Sequence, residues 1–385
     1  MRYVRLPEIA KMGSGGTPLR KNKEYYANGT IPWLKSGELN NGPVISAEEY
    51  ITEKALEESS AKIAPKKSLL VAMYGATAGK VGILDFDSSM NQAICFIIPD
   101  KDQVIVRYLY YYLMSKNQEL LDKREGGGQP NINQKILKNL KIPLPSLSKQ
   151  KAIVAKLDRA QRLIDIDKKM LVKYDELIQS VFLEMFGEGD GEKVPLSSLV
   201  KLNPRKSEIS DIDKSMEASF LGMANVGENG SLNLSEIKTV KESWKGYTYF
   251  KEGDVLFAKI TPCMENGKGA IATGLKNGLG FGSTEFHVLR PIEGVSRAAW
   301  IYHLTHSDKF RVIAESFMTG SAGQKRVPTH FFDRFKVAKP TIEKQIRFEE
   351  IAKEISKDKR RLRSQINKSE ELFSSLVQEA FSNDL

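Results

Sequence analysis

The chain is 385 residues long, 41% hydrophobic, with 58 Lys and Arg against 48 Asp and Glu and a formal charge of +10. That length is too great for one typical core, so two or more domains are expected, and the positive balance points to a polyanionic partner. No run of ~18 apolar residues is present, which excludes a membrane-spanning helix, and Cys95 and Cys263 lie too far apart in sequence for a disulfide framework or metal cluster. The opening MRYVRLPEIAKMGSG lacks an apolar core of the signal-peptide type, so a reducing, cytoplasmic setting is expected.

In chain order, residues 1–145 are expected to form a first globular unit. Strand-like runs lie at 68–73 and 94–98, and a helical stretch at about 104–123. Pro143-Leu144-Pro145 cannot continue a helix and marks an extended approach to a rod. Over 146–190 the apolar positions Ile153, Leu157, Ala160, Ile164, Leu171, Tyr174, Ile178, Val181 and Met185 alternate steps of four and three, with Asp167 in the missing slot. The glycine-rich stretch at 187–192 ends that helix and supplies a linker. Residues 191–340 form a second globular unit, and Pro340 leads into a second rod over 341–385. There Phe348, Ala352, Ile355, Leu362, Ile366, Phe373, Leu376 and Ala380 keep the same phase, with Lys359 and Ser369 as exceptions. Heptads sustained this long mark coiled-coil seams rather than ordinary core helices. At 1.5 Å per residue each rod is roughly 50 Å long.

Residues 138–186 superpose on 333–381 at a shift of 195 without a gap. Ile142 falls on Val337, Pro145 on Pro340, Lys149-Gln150 on Lys344-Gln345, Leu177 on Leu372, and Phe186 on Phe381. So long a period is no short-unit solenoid; it describes two copies of one plan, a globular head followed by a long helix. The heads match more loosely. Val4-Arg5-Leu6 resembles Val194-Pro195-Leu196, residues 68–72 resemble 254–258, and Asn91-Gln92-Ala93 lies opposite Ser283-Thr284-Glu285. The expected fold is α+β: two mixed α/β heads related by a pseudo-two-fold axis and joined by two long antiparallel helices in a coiled coil. The antiparallel direction allows Asp167 and Lys359 to approach as a register-fixing polar pair.

Catalytic motifs do not survive inspection. Gly75-Ala76-Thr77-Ala78-Gly79-Lys80-Val81 resembles a P-loop, but it is one residue short between its glycines and has Val81 where a magnesium-binding hydroxyl belongs. Glu236-Ile237-Lys238 has nuclease-like spacing without a suitable Pro-Asp pair before it. Asn203-Pro204-Arg205 lacks the second proline and the aromatic of an amino-methyltransferase. His287, His303, His306 and His330 have no metal-ligand spacing. No catalytic residue, cofactor or metal is assigned.

What both heads do carry is loops rich in Gly, Lys, Asn and Ser beside strands. Basic side chains neutralise phosphates, glycines let backbone amides come close, and Asn, Gln, Lys and Arg can read base edges. The candidates in the first head are Lys35, Ser36, Tyr74, Gly75, Thr77, Gly79, Lys80, Asn91, Gln92, Gln129 and Asn131. Those in the second are Lys259, Thr261, Met264, Asn266, Lys268, Ser283, Thr284, Gln324, Lys325 and Arg326. For any one loop, turns and solvated charges explain the composition equally well; the matching loops carry the argument.

Taken together, the chain resembles the specificity subunit of a type I restriction–modification system. The resemblance rests on Gly15-Gly16-Thr17-Pro18, the run Ile31-Pro32-Trp33-Leu34-Lys35-Ser36-Gly37-Glu38-Leu39, Tyr74-Gly75 with Gly79-Lys80, Asn91-Gln92, Gly128-Gln129 with Asn131-Ile132, and Pro143-Leu144-Pro145 before Lys149-Gln150. Lys339-Pro340 and Lys344-Gln345 repeat the last of these. The second head departs from the pattern, reading Phe220-Leu221-Gly222-Met223-Ala224-Asn225-Val226 in place of the Pro-Trp run and Ser283-Thr284 in place of Asn91-Gln92. The resemblance implies two target recognition domains, each reading half of a split, asymmetric double-stranded DNA site, with the rods setting the gap. It implies docking of two adenine methyltransferase subunits and, through them, two ATP-using restriction subunits. Three other readings compete: a specificity subunit whose partner fuses methylation and cleavage, an autonomous DNA-binding scaffold, and a structure-selective nuclease. The last lacks a carboxylate cluster.

Overall fold

Short apolar strands and heptad helices build the molecule. The computed structural model describes residues 2–124, 131–187, 192–321 and 323–382. They fold as two units, one from residues 1–168 with 364–385 and the other from 169–363, so each long helix contributes to both.

In the first unit, Tyr3–Arg5 pairs antiparallel with Lys141–Pro143, Val4 opposite Ile142, which ties the chain start to the base of the long helix Leu147–Phe186. A five-stranded sheet runs in the order Ala10–Ser14, Ile94–Pro99, Leu69–Ala72, Val81–Leu84, Gly42–Val44. Leu69–Ala72 is buried at every position, as its unbroken apolar run requires. Glu49–Ile51, Ile31–Leu34 and Ser89–Met90 form a second, three-stranded sheet. Trp33 anchors it at 1% exposure. Its indole Nε1 donates to the Gly16 carbonyl at 3.0 Å, and the Arg20 guanidinium lies 4.7 Å from the rings of both Trp33 and Tyr26. A Cβ on Gly15 would stand 2.1 Å from the Met90 carbonyl oxygen, so only glycine fits there. The Gly-Gly-Thr-Pro and Pro-Trp runs are therefore one packed corner.

The second unit repeats this plan. Lys193–Pro195 pairs with Lys336–Ala338, Val194 opposite Val337. One sheet has the order Val200–Leu202, Phe286–Pro291, Val255–Ala258, Gly269–Ile271. The other has the order Ile237–Thr239, Glu217–Leu221, Leu279–Gly282, Thr248–Lys251. The parallel pairing of Ile31–Leu34 with Ser89–Met90 recurs between Glu217–Leu221 and Leu279–Gly282. Phe220 occupies the place of Trp33. The heads differ in their extra strand: Gly42–Val44 lies beside Val81–Leu84, whereas Thr248–Lys251 lies beside Leu279–Gly282. Asp254, fully buried where the first head has Ser68, is held by Arg290 through two bonds of 2.7 Å.

The long helices run antiparallel within each unit. In the first, Asp167 accepts from Gln365 at 2.8 Å, while Tyr111 touches both Asp158, by a 2.6 Å hydrogen bond, and Phe373, edge-on at 6.1 Å. In the second, Lys359 pairs with Asp175, and Phe182 packs edge-on against Phe348 with centroids 5.4 Å apart. Every seam position named from the heptads is buried or half-buried. Asp167 and Lys359, expected as a pair, fall in different units, and each finds another polar partner across the seam within its own unit. Phe182 and Val377, outside the heptad seam, are also buried. Where a helix meets a head it must cover a stripe wider than a two-helix seam.

The repeated Lys-Gln pair acquires a structural role. Gln150 is fully buried; its Oε1 accepts from the Ile105 amide at 2.9 Å, and its Nε2 donates to the Gln103 and Pro145 carbonyls at 3.0 Å each. Gln345 makes the same set with the Arg297 amide at 2.8 Å and the Val295 and Pro340 carbonyls at 3.0 and 3.3 Å. Ile105 and Arg297 cap the helices Val106–Ser115 and Ala298–His306, so one side chain fastens each long helix to its head.

Candidate nucleic-acid interface

The candidate loops of each head hang on the same backbone hydrogen bonds. Ala72 N bonds Lys80 O at 3.0 Å, as Ala258 N bonds Lys268 O at 3.1 Å. Met73 N bonds Ala93 O at 2.7 Å, as Lys259 N bonds Glu285 O at 2.9 Å. Asn91 N bonds Leu34 O at 2.9 Å, as Ser283 N bonds Leu221 O at 3.0 Å. Ile132 N bonds Met73 O at 2.8 Å, as Val327 N bonds Lys259 O at 2.9 Å. Equivalent positions follow directly: Lys80 and Lys268, Gln92 and Thr284, Ala93 and Glu285, Asn131 and Arg326.

In the first head the side chains join the loops further. Thr77 Oγ1 donates to the Ser36 carbonyl at 2.8 Å, Tyr74 donates its hydroxyl to the Gln92 carbonyl at 2.6 Å, and Thr17 donates to the Gln92 amide oxygen. Burial raises the Tyr74 hydroxyl above its ordinary pKa, so it stays a donor. Gly75 and Gly79 adopt φ of +82° and +81°, which gives the 75–80 turn its shape. Lys80 makes no side-chain bond among the described residues. Asn91 accepts from the Ala93 amide at 3.2 Å, a turn-forming contact. The Asn131 side-chain oxygen is buried and has no hydrogen-bond partner among the described residues. Gln129 lies outside the described residues. Lys35 pairs with Glu48 at 2.9 Å and Glu49 at 3.1 Å, which raise its pKa and largely cancel its field. Glu48 precedes, and Glu49 opens, the strand Glu49–Ile51, a partnership that the loop sequence does not reveal.

In the second head, Thr261 donates to Glu265 at 2.7 Å, and its amide bonds the Lys325 carbonyl at 3.0 Å. Lys268 Nζ donates to the Met223 carbonyl at 3.3 Å. Ser283 accepts from the Glu285 amide at 3.2 Å, and Thr284 and Asn266 are exposed. Lys325 and Gln324 are exposed beside Arg326. Arg326 forks onto Glu285 through Nε and Nη2, each at 2.9 Å. Burial, opposed by nearby Glu285, lowers the Lys259 pKa. Met264 is a second correction: fully buried in the hydrophobic core, it supports the turn from inside and meets no ligand.

Sequence reasoning missed Thr17, Glu48, Glu49 and Glu285 as partners of the candidates. It also set aside Arg205 and missed Tyr247, which line a cleft of about 390 Å³ with Lys259 and Thr284. The Asn203-Pro204-Arg205 run was a signal, read only as a failed methyltransferase motif; Asn203 instead accepts from the Val288 amide at 2.9 Å. His287 is held neutral, its pKa pushed down to about 4 by burial. Among the described residues no group of three or more His, Cys, Asp or Glu could hold a metal, and no helix is long and apolar enough to cross a membrane.

Residues 1–173 match the family model described as the type I restriction modification DNA specificity domain. The match takes in the first head and most of the first long helix. The specificity subunit of the type I restriction enzyme EcoAI from Escherichia coli is 43% identical over 158 residues, 40% of this chain and 26% of that protein. The EcoR124I/EcoR124II specificity subunit, also from Escherichia coli, is 32% identical over 187 residues, 47% of this chain and 46% of that protein. The chain thus spans between about a quarter and a half of the length of these curated relatives. A solved chain from work on complex assembly and conformational transition of the type I R-M system superposes with a TM-score of 0.60 at 16% identity, covering 100% of this chain and 98% of that one. At that identity the likeness shows a shared fold alone.

Proposed function

We propose that this chain is the sequence-reading subunit of a type I restriction–modification complex. Each head acts as a target recognition domain for one half of a split site on double-stranded DNA, and the long helices set the gap. Two methyltransferase subunits dock on it, and two restriction subunits join through them. The chain itself is non-catalytic and works in the cytoplasm; methylation and cleavage belong to its partners. The observation that carries this reading is the pair of loop sets built on one backbone frame with different side chains at equivalent positions. Two like scaffolds with unlike readers call for two unlike half-sites, hence an asymmetric target.

The test is co-expression with the neighbouring methyltransferase gene and mapping of methylated adenines across host DNA. A split, asymmetric motif with a fixed gap is expected. A palindromic motif sinks the two-reader idea, and DNA binding without any methylation favours an autonomous scaffold.

A further inference from the structure

We propose that Arg326, oriented by Glu285, reads a guanine in the half-site taken by the second head. This rests on the function proposed above and goes beyond it by naming the base chemistry of one position.

Three of the guanidinium N–H groups are committed: Nε and Nη2 to the two Glu285 oxygens at 2.9 Å each, and Nη1 to the Gln324 carbonyl at 2.8 Å. A guanidinium has five N–H donors, so one remains on each terminal nitrogen. The plane is fixed while the side chain is still 41% exposed. Two adjacent donors on a rigid plane match the O6 and N7 acceptors that guanine presents in the major groove. Thr284, exposed next to Glu285, and half-buried Lys259 complete the rim, and Lys259, Glu285 and Arg326 together sum to a single positive charge.

Holding the loop in place does not require this ion pair. The Val327–Lys259 bond of 2.9 Å, the Thr261–Lys325 bond of 3.0 Å, and two backbone bonds between Thr319 and Arg326 of 3.0 and 2.8 Å already do so. In the first head, the Ile132–Met73 bond forms with Ala93 and Asn131 where the second has Glu285 and Arg326. A partly exposed pair also contributes little stability. What it does supply is orientation, with Glu285 as the positioning residue.

The experiment selects duplexes from a randomised pool with the full chain co-purified with its methyltransferase. The wild type should select a split motif with a G·C pair in one half. Arg326→Ala and Arg326→Lys should each lower the preference for that guanine about tenfold or more, with the other half read unchanged. The unchanged half shows that the variants fold. Glu285→Gln should weaken the same position by a smaller factor. Arg326→Lys keeps the charge, so an unaltered motif in that variant overturns the proposal. Equal losses at every position would make Arg326 a phosphate contact and also overturn it. A wild type that selects no motif overturns the function reading itself.

Discussion

The two heads are the same frame with different contents. Four pairs of backbone bonds recur between them within a few tenths of an ångström, while the positions on that frame change from Gln92, Ala93 and Asn131 to Thr284, Glu285 and Arg326. Lys80 and Lys268 are the exception, alike at one equivalent place. A shared residue suits the phosphate backbone, which is alike in every half-site; unshared residues suit bases. On the function proposed above, the comparison separates a residue suited to phosphates from residues suited to bases.

The largest expected difference between the halves is their response to acid. All four histidines lie in the second unit, and burial pushes His287, His303 and His306 to about 4, 3 and 4. Unfolded, each would take a proton near pH 6.5; folded, each resists until far lower pH. Stability of the second unit should therefore fall as pH drops below 6.5 and level off near 3, by several kcal/mol in all. Trp33 reports on the first unit and Trp244 and Trp300 on the second, so Trp33→Phe isolates the second unit's fluorescence in a pH titration. Coincident transitions of both units would defeat the comparison.

Next in size is the corner around Trp33. Trp33→Ala should cost about 3–5 kcal/mol in urea unfolding of the first unit. Phe220→Ala should cost less, because Phe220 is 7% exposed and has no counterpart of the bond to Gly16. The Gln150 and Gln345 clamps should respond alike. Replacing either by Leu strands a buried amide and two carbonyls and should cost about 2–4 kcal/mol. Unequal losses would mean the heads are fastened differently. Smallest are Lys80→Ala and Lys268→Ala. Each should weaken DNA binding by about 1–3 kcal/mol, equally across sequences, and lower the salt slope by about one. Unchanged affinity at several salt concentrations would reduce both loops to turns.

The helices were legible because a heptad is a local pattern; their antiparallel direction within each unit rests on contacts other than the Asp167–Lys359 pair from which it was argued. The loop frame was only partly legible through the repeat, since Asn131 and Ile132 share the shift of the long helices while Ala72, Lys80 and Asn91 align with Ala258, Lys268 and Ser283 at other shifts. Partners distant in sequence were not legible. Glu285 lies 41 residues from Arg326, and Gln150 lies 45 from the Ile105 amide. No loop composition announces that Glu48 and Glu49 cancel Lys35, or that Met264 points into a core. The partners of Asp167 and Lys359 within their own units, Gln365 and Asp175, were not legible for a related reason: complementary charge alone does not choose among several partners on a highly charged helix.

The first unit is discontinuous, closed by residues 364–385, whereas the second is one continuous stretch. Phe373 and Phe381 pack on Tyr111, Tyr108 and Tyr112 of the first unit. On the ribosome, this reverses the order of completion. The half made first waits for the turns that carry Phe373 and Phe381, roughly 10–40 s behind it at ordinary translation speeds. Over that interval its tyrosine face is bare, a natural target for holding chaperones.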